Sequence, residues 1–293
     1  MKKSQKRKIG QIALHTFFII LCMCYILPLI LVISISLEGG NNHGFKLIPD
    51  EFSLTAYKMI FDNPKPILDA YITTIFYSVV GTVSSLVVMA MLAYTLSRPE
   101  FKLKNIYTFI LFFTTLFSGG MVPAYILNTR YLHLGDKIWI YILPFIVNAW
   151  NVIVIRTYFQ GLPKELFESA RLDGASEMRI CFRIAVPLST PVLASVGFLR
   201  FIDAWNDWST SQVYIKRPEL RSLQYLLQQI LNDIKMIEQM VDQGMMNDAD
   251  TIITNLETMR FALVVVAGVP AMMIFPFFQK YFAKGMTIGS VKG

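Results

Sequence analysis

Six long apolar runs, separated by shorter charged or polar segments, give this chain its pattern. They lie near Ile9–Leu37, Ile67–Leu96, Ile106–Leu127, Ile138–Val154, Leu188–Phe201 and Phe261–Phe282. A helix crossing the hydrocarbon core of a bilayer needs ~20 predominantly apolar residues, so each run predicts a membrane-spanning helix. The fold class expected is all-α: a polytopic membrane protein with six transmembrane helices, organised as one membrane domain over residues 9–293. A basic segment, residues 1–8, precedes it, and residues 283–293 form a tail.

The first run follows Lys2, Lys3, Lys6, Arg7 and Lys8, as the apolar core of a signal peptide does. It is too long for one, and no small-residue cleavage site closes it, so it is read as an uncleaved first helix with a kink at Pro28. The polar stretch Glu38–Pro66 predicts an outer loop with a short helix around Leu54–Phe61. Gly119-Gly120 interrupts the third run and Pro123 and Pro144 lie inside the third and fourth, so bent helices are expected there. Between the last two runs, Ser209–Met259 is too polar to span and too long for a turn. Leu223, Leu226, Leu227, Ile230, Leu231, Ile234 and Ile237 recur within it at helical spacing, which predicts one amphipathic helix ending by Gly244.

One charged stretch, residues 161–187, carries its own helical pattern. Pro163 suits a first helical turn and Leu166, Phe167 and Ala170 recur along one face. Gly174 can take the left-handed conformation that ends such a helix, and Ser176 can cap a second one running to Pro187. The expected result is two short helices with a glycine corner between them, on one membrane face.

Composition agrees with a membrane protein: 54% of residues are hydrophobic and 16% charged. The net charge of +7 does not mark a nucleic-acid binder, because the basic residues flank the apolar runs and form no stripe. Placing both termini and the Glu168 stretch in the cytoplasm puts sixteen Lys and Arg inside and ten outside, the asymmetry that membrane insertion favours. Cys22, Cys24 and Cys181 suggest no disulfide framework, and His15, His43 and His133 are too scattered for a metal site.

Glu168-Ser169-Ala170, three residues, Gly174, nine residues, Ile184, one residue and Val186-Pro187 resemble the Glu-Ala-Ala loop of ABC-importer permeases. Ser169 replaces the usual alanine and Val186 the usual leucine. Trp205-Asn206 and the ending Gly285–Gly293 resemble maltose-transporter-type carbohydrate permeases of the C-terminal-partner type. Phe117-Ser-Gly-Gly-Met-Val-Pro123 is similar to the branch that takes up oligosaccharides or polysaccharide fragments. The resemblance implies the type I importer permease fold in a bacterial cell membrane, with termini cytoplasmic. It also implies a transport partner set: a second permease, two ATPase subunits and an extracytoplasmic solute-binding protein, moving a carbohydrate. ATP and Mg would be bound by the ATPase, with no cofactor on this chain, and the chain would be no enzyme; it lacks the Gly-rich phosphate loop. A non-sugar solute is the alternative.

By that resemblance Glu165, Glu168, Ser169, Ala170, Asp173, Gly174, Ile184 and Pro187 couple the chain to the ATPase, and the tail residues Gly289, Val291, Lys292 and Gly293 lie along the ATPase interface. Residues 209–259 occupy the place of the loop that reaches into the binding protein's cleft; an amphipathic cover on the membrane face is an equally open reading. Asn148, Asn151, Trp205 and Asn206 are candidates for a substrate path. Interhelical hydrogen bonds for the asparagines and an interfacial aromatic belt for Trp205 and Trp208 are the competing readings. Arg200 and Asp203, spaced i, i+3, are expected to pair. Secondary transport would need internal repeats and midplane ion ligands, and intramembrane catalysis a nucleophile with its base; neither pattern is evident.

Overall fold

The computed structural model describes residues 2–39, 46–62, 64–243 and 249–288, and among these it is helical with a single isolated β-bridge, Glu38 to Phe52. Three helices are long and apolar enough to cross a membrane unaided: α1 (Lys2–Ser36), α3 (Pro64–Ser97) and the last, α13 (Ala249–Ile288). Three more crossings are broken. α4 (Lys104–Leu116) turns by 115° into α5 (Met121–Ile126) and its continuation to Tyr131. Two 3₁₀ turns over 138–145 meet α6 (Ala149–Gln160) at 50°. Six crossings therefore follow if each bent pair is one span.

The bends have identifiable chemistry. Phe117, extended, ends α4, and Gly120 at φ +86°, a value that favours glycine, leads into α5 at Met121. After α7 (Lys164–Leu172) come α8 (Glu177–Ile180), a π turn over 181–185 and α9 (Val186–Leu188), which meet α10 (Thr190–Trp205) at 84°. Pro187 and Pro191 each remove an amide donor near this corner. Thr190 Oγ1 donates to the Pro187 carbonyl at 2.7 Å, satisfying an oxygen that the Pro191 ring nitrogen cannot. Pro28, by contrast, lies inside an uninterrupted α1 and Pro270 and Pro276 inside an uninterrupted α13.

The chain forms two compact units. Residues 1–64 and 229–269 make one. In it the short helix α2 (Thr55–Phe61) falls where the sequence predicts, and Tyr57 Oη lies 2.8 Å from Ser36 Oγ at the end of α1. Glu238 pairs with Arg260 at 2.5 Å. Residues 65–228 and 270–293 make the second unit, which holds two buried clusters strung along α3. Met89, Ala93, Tyr94, Val152, Ile155, Phe159, Phe167 and Ile180 form one, toward the C-terminal end of α3. Tyr77, Ile140, Tyr141, Ile142, Ala204 and Ile215 form the other, about seventeen residues back. At 1.5 Å per residue the two clusters are ~26 Å apart along α3, close to the thickness of a hydrocarbon core.

Ser209–Met259 is not one loop with one helix. It contains α11 (Ser209–Tyr214), a 3₁₀ turn over 218–220, the expected amphipathic α12 (Leu223–Asp242) and the first turns of α13. Leu223, Leu227, Ile234 and Val241 are buried along α12, the spacing of one helical face. Gly244, its expected terminator, lies outside the described residues, as do Gly289, Val291, Lys292 and Gly293; residues 287 and 288 are still within α13.

Candidate coupling elbow and transmembrane cavity

The elbow is built by local chemistry and then fastened to α3. Pro163, φ −56° and ψ 128°, precedes α7 as its cap, one position earlier than the first-turn place expected of it. α7 closes with two crossed bonds: Ala175 N–H donates to Ala170 O and Gly174 N–H to Arg171 O, both at 3.0 Å. That closure requires a left-handed residue, and Gly174 supplies φ +77°. Ser176 Oγ then accepts from Arg179 N–H at 3.4 Å to start α8.

Phe167 turns inward and is 2% exposed. The Arg98 guanidinium sits 3.9 Å from the Phe167 ring centroid and 4.6 Å from that of Tyr94, so the elbow is plugged onto the end of α3 by a sandwiched cation. Arg171 donates Nε to Glu177 at 2.8 Å and Nη1 to Glu100 at 2.7 Å, while Tyr94 Oη donates to Glu177 at 2.5 Å. The Glu177 carboxyl is pulled up by desolvation, but the Tyr94 hydroxyl and Arg171 hold it below its ordinary value. Glu100 is also lowered, first by its own backbone N–H and then by Arg171. A cleft of about 260 Å³, lined among others by Arg98, Lys104, Lys164 and Glu168, opens beside this network.

Sequence reasoning names the outward face of the elbow and part of the inward one. Glu165, Glu168, Ser169, Asp173, Gly174 and Pro187 are exposed; Ala170 and Ile184 are half-buried against the Phe167 cluster. Phe167 and Ala170 face inward as the helical spacing predicts, but Leu166, expected with them, is exposed, and Leu172 projects at 89% exposure from the corner. Tyr94, Arg98, Glu100 and Arg171 hold the elbow in place beside Phe167, and the signal for these four in the sequence is the coincidence of charges at the ends of apolar runs.

At the other end of α3, a cavity of about 290 Å³ is lined by Tyr77, Tyr141, Phe145, Arg200, Asp203, Ala204 and residues 206–209. Tyr77 and Tyr141 stack at 4.3 Å, and the Tyr141 hydroxyl is committed to Ser211 Oγ and the Leu220 carbonyl. Thr73 Oγ1 donates to Glu219 O, and Thr74 Oγ1 accepts from Leu223 N–H, so the segment after α11 is sewn to α3. Asp136, at φ 57°, accepts the N–H groups of Lys216 and Arg217 at 3.0 and 2.9 Å, which hold its carboxyl low.

The predicted path residues divide. Asn206 lines the cavity, its Oδ1 accepting from Gln224 Nε2 at 3.3 Å. Trp205 does not line it: it is 1% exposed and stacks on Phe201, whereas Trp208 stands at the rim. Asn148 caps α6, accepting from Asn151 N–H at 3.0 Å, and the Asn151 side chain is buried. The expected pair of Arg200 with Asp203 does not form; Arg200 is 7% exposed, and its Nε and Nη2 meet no acceptor.

Residues 59–288 match the family described as binding-protein-dependent transport system inner membrane component. The chain belongs to that family. It is therefore a membrane-embedded permease subunit of an importer, in a family of transport permeases and not of enzymes. The permease is 34% identical to the polygalacturonan/rhamnogalacturonan transport system permease protein YtcP of Bacillus subtilis, covering 98% of this chain and 100% of that one. It is 37% identical to protein LplC of the same organism over 92% of this chain and 90% of that one. A chain in the crystal structure of a bacterial ABC transporter that imports the acidic polysaccharide alginate superposes with a TM-score of 0.80 at 31% identity, covering 94% of the permease and 97% of that chain.

Proposed function

We propose that the permease forms half of a carbohydrate-conducting pore, with a second permease as its other half, and is driven by two ATPase subunits that grip the elbow 164–188. The observation that carries this reading is the elbow itself: a short helix fixed on its inner face by Phe167 and Arg171, with Glu165, Glu168, Asp173 and the exposed Leu172 left outward. An apolar side chain projecting among acidic groups at a rigid corner suits insertion into a protein groove better than contact with water. The elbow and both termini then face the cytoplasm, as the Lys and Arg distribution favours.

A carbohydrate substrate is supported by the relatives' names and by the aromatic, hydrogen-bonding cavity at the far end of α3. Residues 209–228 sit on that same side in this reading, where a solute-binding protein docks. The ATPase carries the nucleotide and Mg, and closure of the ATPase pair moves the elbow between two packed states of the permease.

The test is Gly174→Asp. A Cβ there meets no atom within 4 Å, and aspartate bears the backbone strain of a positive φ better than most residues, so insertion and folding are expected to be retained, which the yield of membrane-inserted variant checks. ATPase subunits no longer co-purify with the variant. Undiminished co-purification would overturn the coupling role.

A further inference from the structure

Two lining groups of the 290 Å³ cavity are left without a hydrogen-bond partner, the Tyr77 hydroxyl and the Arg200 guanidinium, and only Arg200 carries a charge. A guanidinium keeps its charge at any physiological pH, and a buried cation without a partner is strongly disfavoured unless something supplies the missing acceptors. Asp203 and Asp207 act on its charge from nearby but accept no hydrogen bond from Nε or Nη2. Asp207 Oδ1 is occupied by Ser209 Oγ at 3.1 Å and Thr210 N–H at 3.0 Å, capping α11. Asp203 lies one turn further along α10, exposed, and makes no hydrogen bond among the described residues.

The remaining walls are apolar and aromatic. The Phe145 ring centroid is 5.8 Å from the guanidinium carbon, Tyr77 and Tyr141 form a stacked wall, and Trp208 stands half-exposed at the mouth. Flat rings beside a guanidinium match a pyranose that carries a carboxylate: the ring face stacks, and the carboxylate meets the positive charge of Arg200. The volume lies at the lower limit of small-molecule pockets, about 300 Å³, so it holds one sugar residue and no longer segment.

We propose that this cavity is a subsite for a single uronic acid residue, its carboxylate on Arg200 and its hydroxyls on Asp203 and Asn206. The proposal rests on the carbohydrate reading above and adds the charge of the sugar. Asp203 serves as a hydroxyl acceptor at the rim and opposes a second carboxylate, so acidic residues pass one at a time.

The complete importer, with its second permease, ATPases and binding protein, is reconstituted in proteoliposomes. Uptake of trigalacturonate is compared with uptake of its fully methyl-esterified, uncharged form. The wild type prefers the acid. In Arg200→Gln the preference falls about tenfold while uptake of the ester persists, and in Asp203→Asn the preference rises. A preference unchanged in Arg200→Gln overturns the proposal, as the selection then lies in another subunit. Should Arg200→Gln fail to assemble, Asp203→Asn decides: it removes only an exposed charge, and an unchanged or lowered preference counts against the subsite. Uptake of both sugars by the wild type without discrimination removes the acidic subsite alone. Uptake of neither overturns the subsite, and the carbohydrate reading falls with it only if neutral oligosaccharides are not taken up either.

Discussion

Gly197 shows what a single side chain can settle. A Cβ built there stands 2.9 Å from Leu86 Cδ1, so a larger residue must push the Leu86 side chain of α3 aside. Gly197→Val is expected to destabilise by about 1–3 kcal/mol through overpacking, lowering the apparent melting temperature of the detergent-solubilised permease. Leu86→Ala in the same chain makes room and returns part of the loss. Equal melting temperatures for the single and double variants would show that the close approach is not limiting. At this scale the sequence is legible where the chemistry is local. Gly174 and Ser176 act on amides within a few residues of themselves, so turn and cap rules predict them. The stacking of Arg98 on Phe167 joins residues on different elements, and Arg200 beside Asp203 reads as a pair until burial shows the guanidinium alone.

The elbow is held by two carboxylates whose protonation would release it. Glu177 and Glu100 both titrate below the ordinary carboxylate range in the folded chain, Glu177 despite desolvation, through Tyr94 and Arg171, and Glu100 through its own N–H and Arg171. A lowered folded pKa means the stabilisation is complete above the unfolded value, ~4.3 for glutamate, and is lost as pH falls through the folded one. Amide exchange of residues 164–180, corrected for its intrinsic pH dependence, should therefore be flat from pH 6 to 8 and quicken below about pH 4. Glu177→Gln should raise exchange at neutral pH and flatten the acid limb; identical acid limbs in the two proteins would assign the transition to other groups. The elements themselves were only partly foreseeable. Apolar length marks six crossings, Gly119-Gly120 marks one break, and the helix ending at Pro187 before the run from Leu188 marks the place of the 84° corner at Ser189, but not its angle. Its cause is a pair of prolines four residues apart and a threonine hydroxyl that replaces a lost backbone donor.

Across the second unit, α3 links two sites of different kinds. Its C-terminal end holds the elbow through Tyr94 and Arg98, and its N-terminal half holds the cavity and the segment 209–223 through Thr73, Thr74 and Tyr77. If a signal from a docked binding protein reaches the ATPases through this rod, loosening the far end should weaken stimulation without touching assembly. Asp136 offers a way to do so, since its carboxylate gathers the Lys216 and Arg217 amides and pairs with the Arg217 guanidinium at 3.2 Å, well away from the elbow. Asp136→Ala leaves those two amides to water, which is tolerable at an exposed site, and frees the segment that precedes α12. Basal ATP hydrolysis of the assembled importer is expected to stay within about twofold, because the elbow contacts are intact, whereas stimulation by the binding protein falls severalfold. Co-purification of the ATPases is unchanged, the opposite of the Gly174→Asp result. Equal loss of basal and stimulated turnover in Asp136→Ala would mean that the substitution damages the fold as a whole, and that α3 does not separate a sensing end from a driven one.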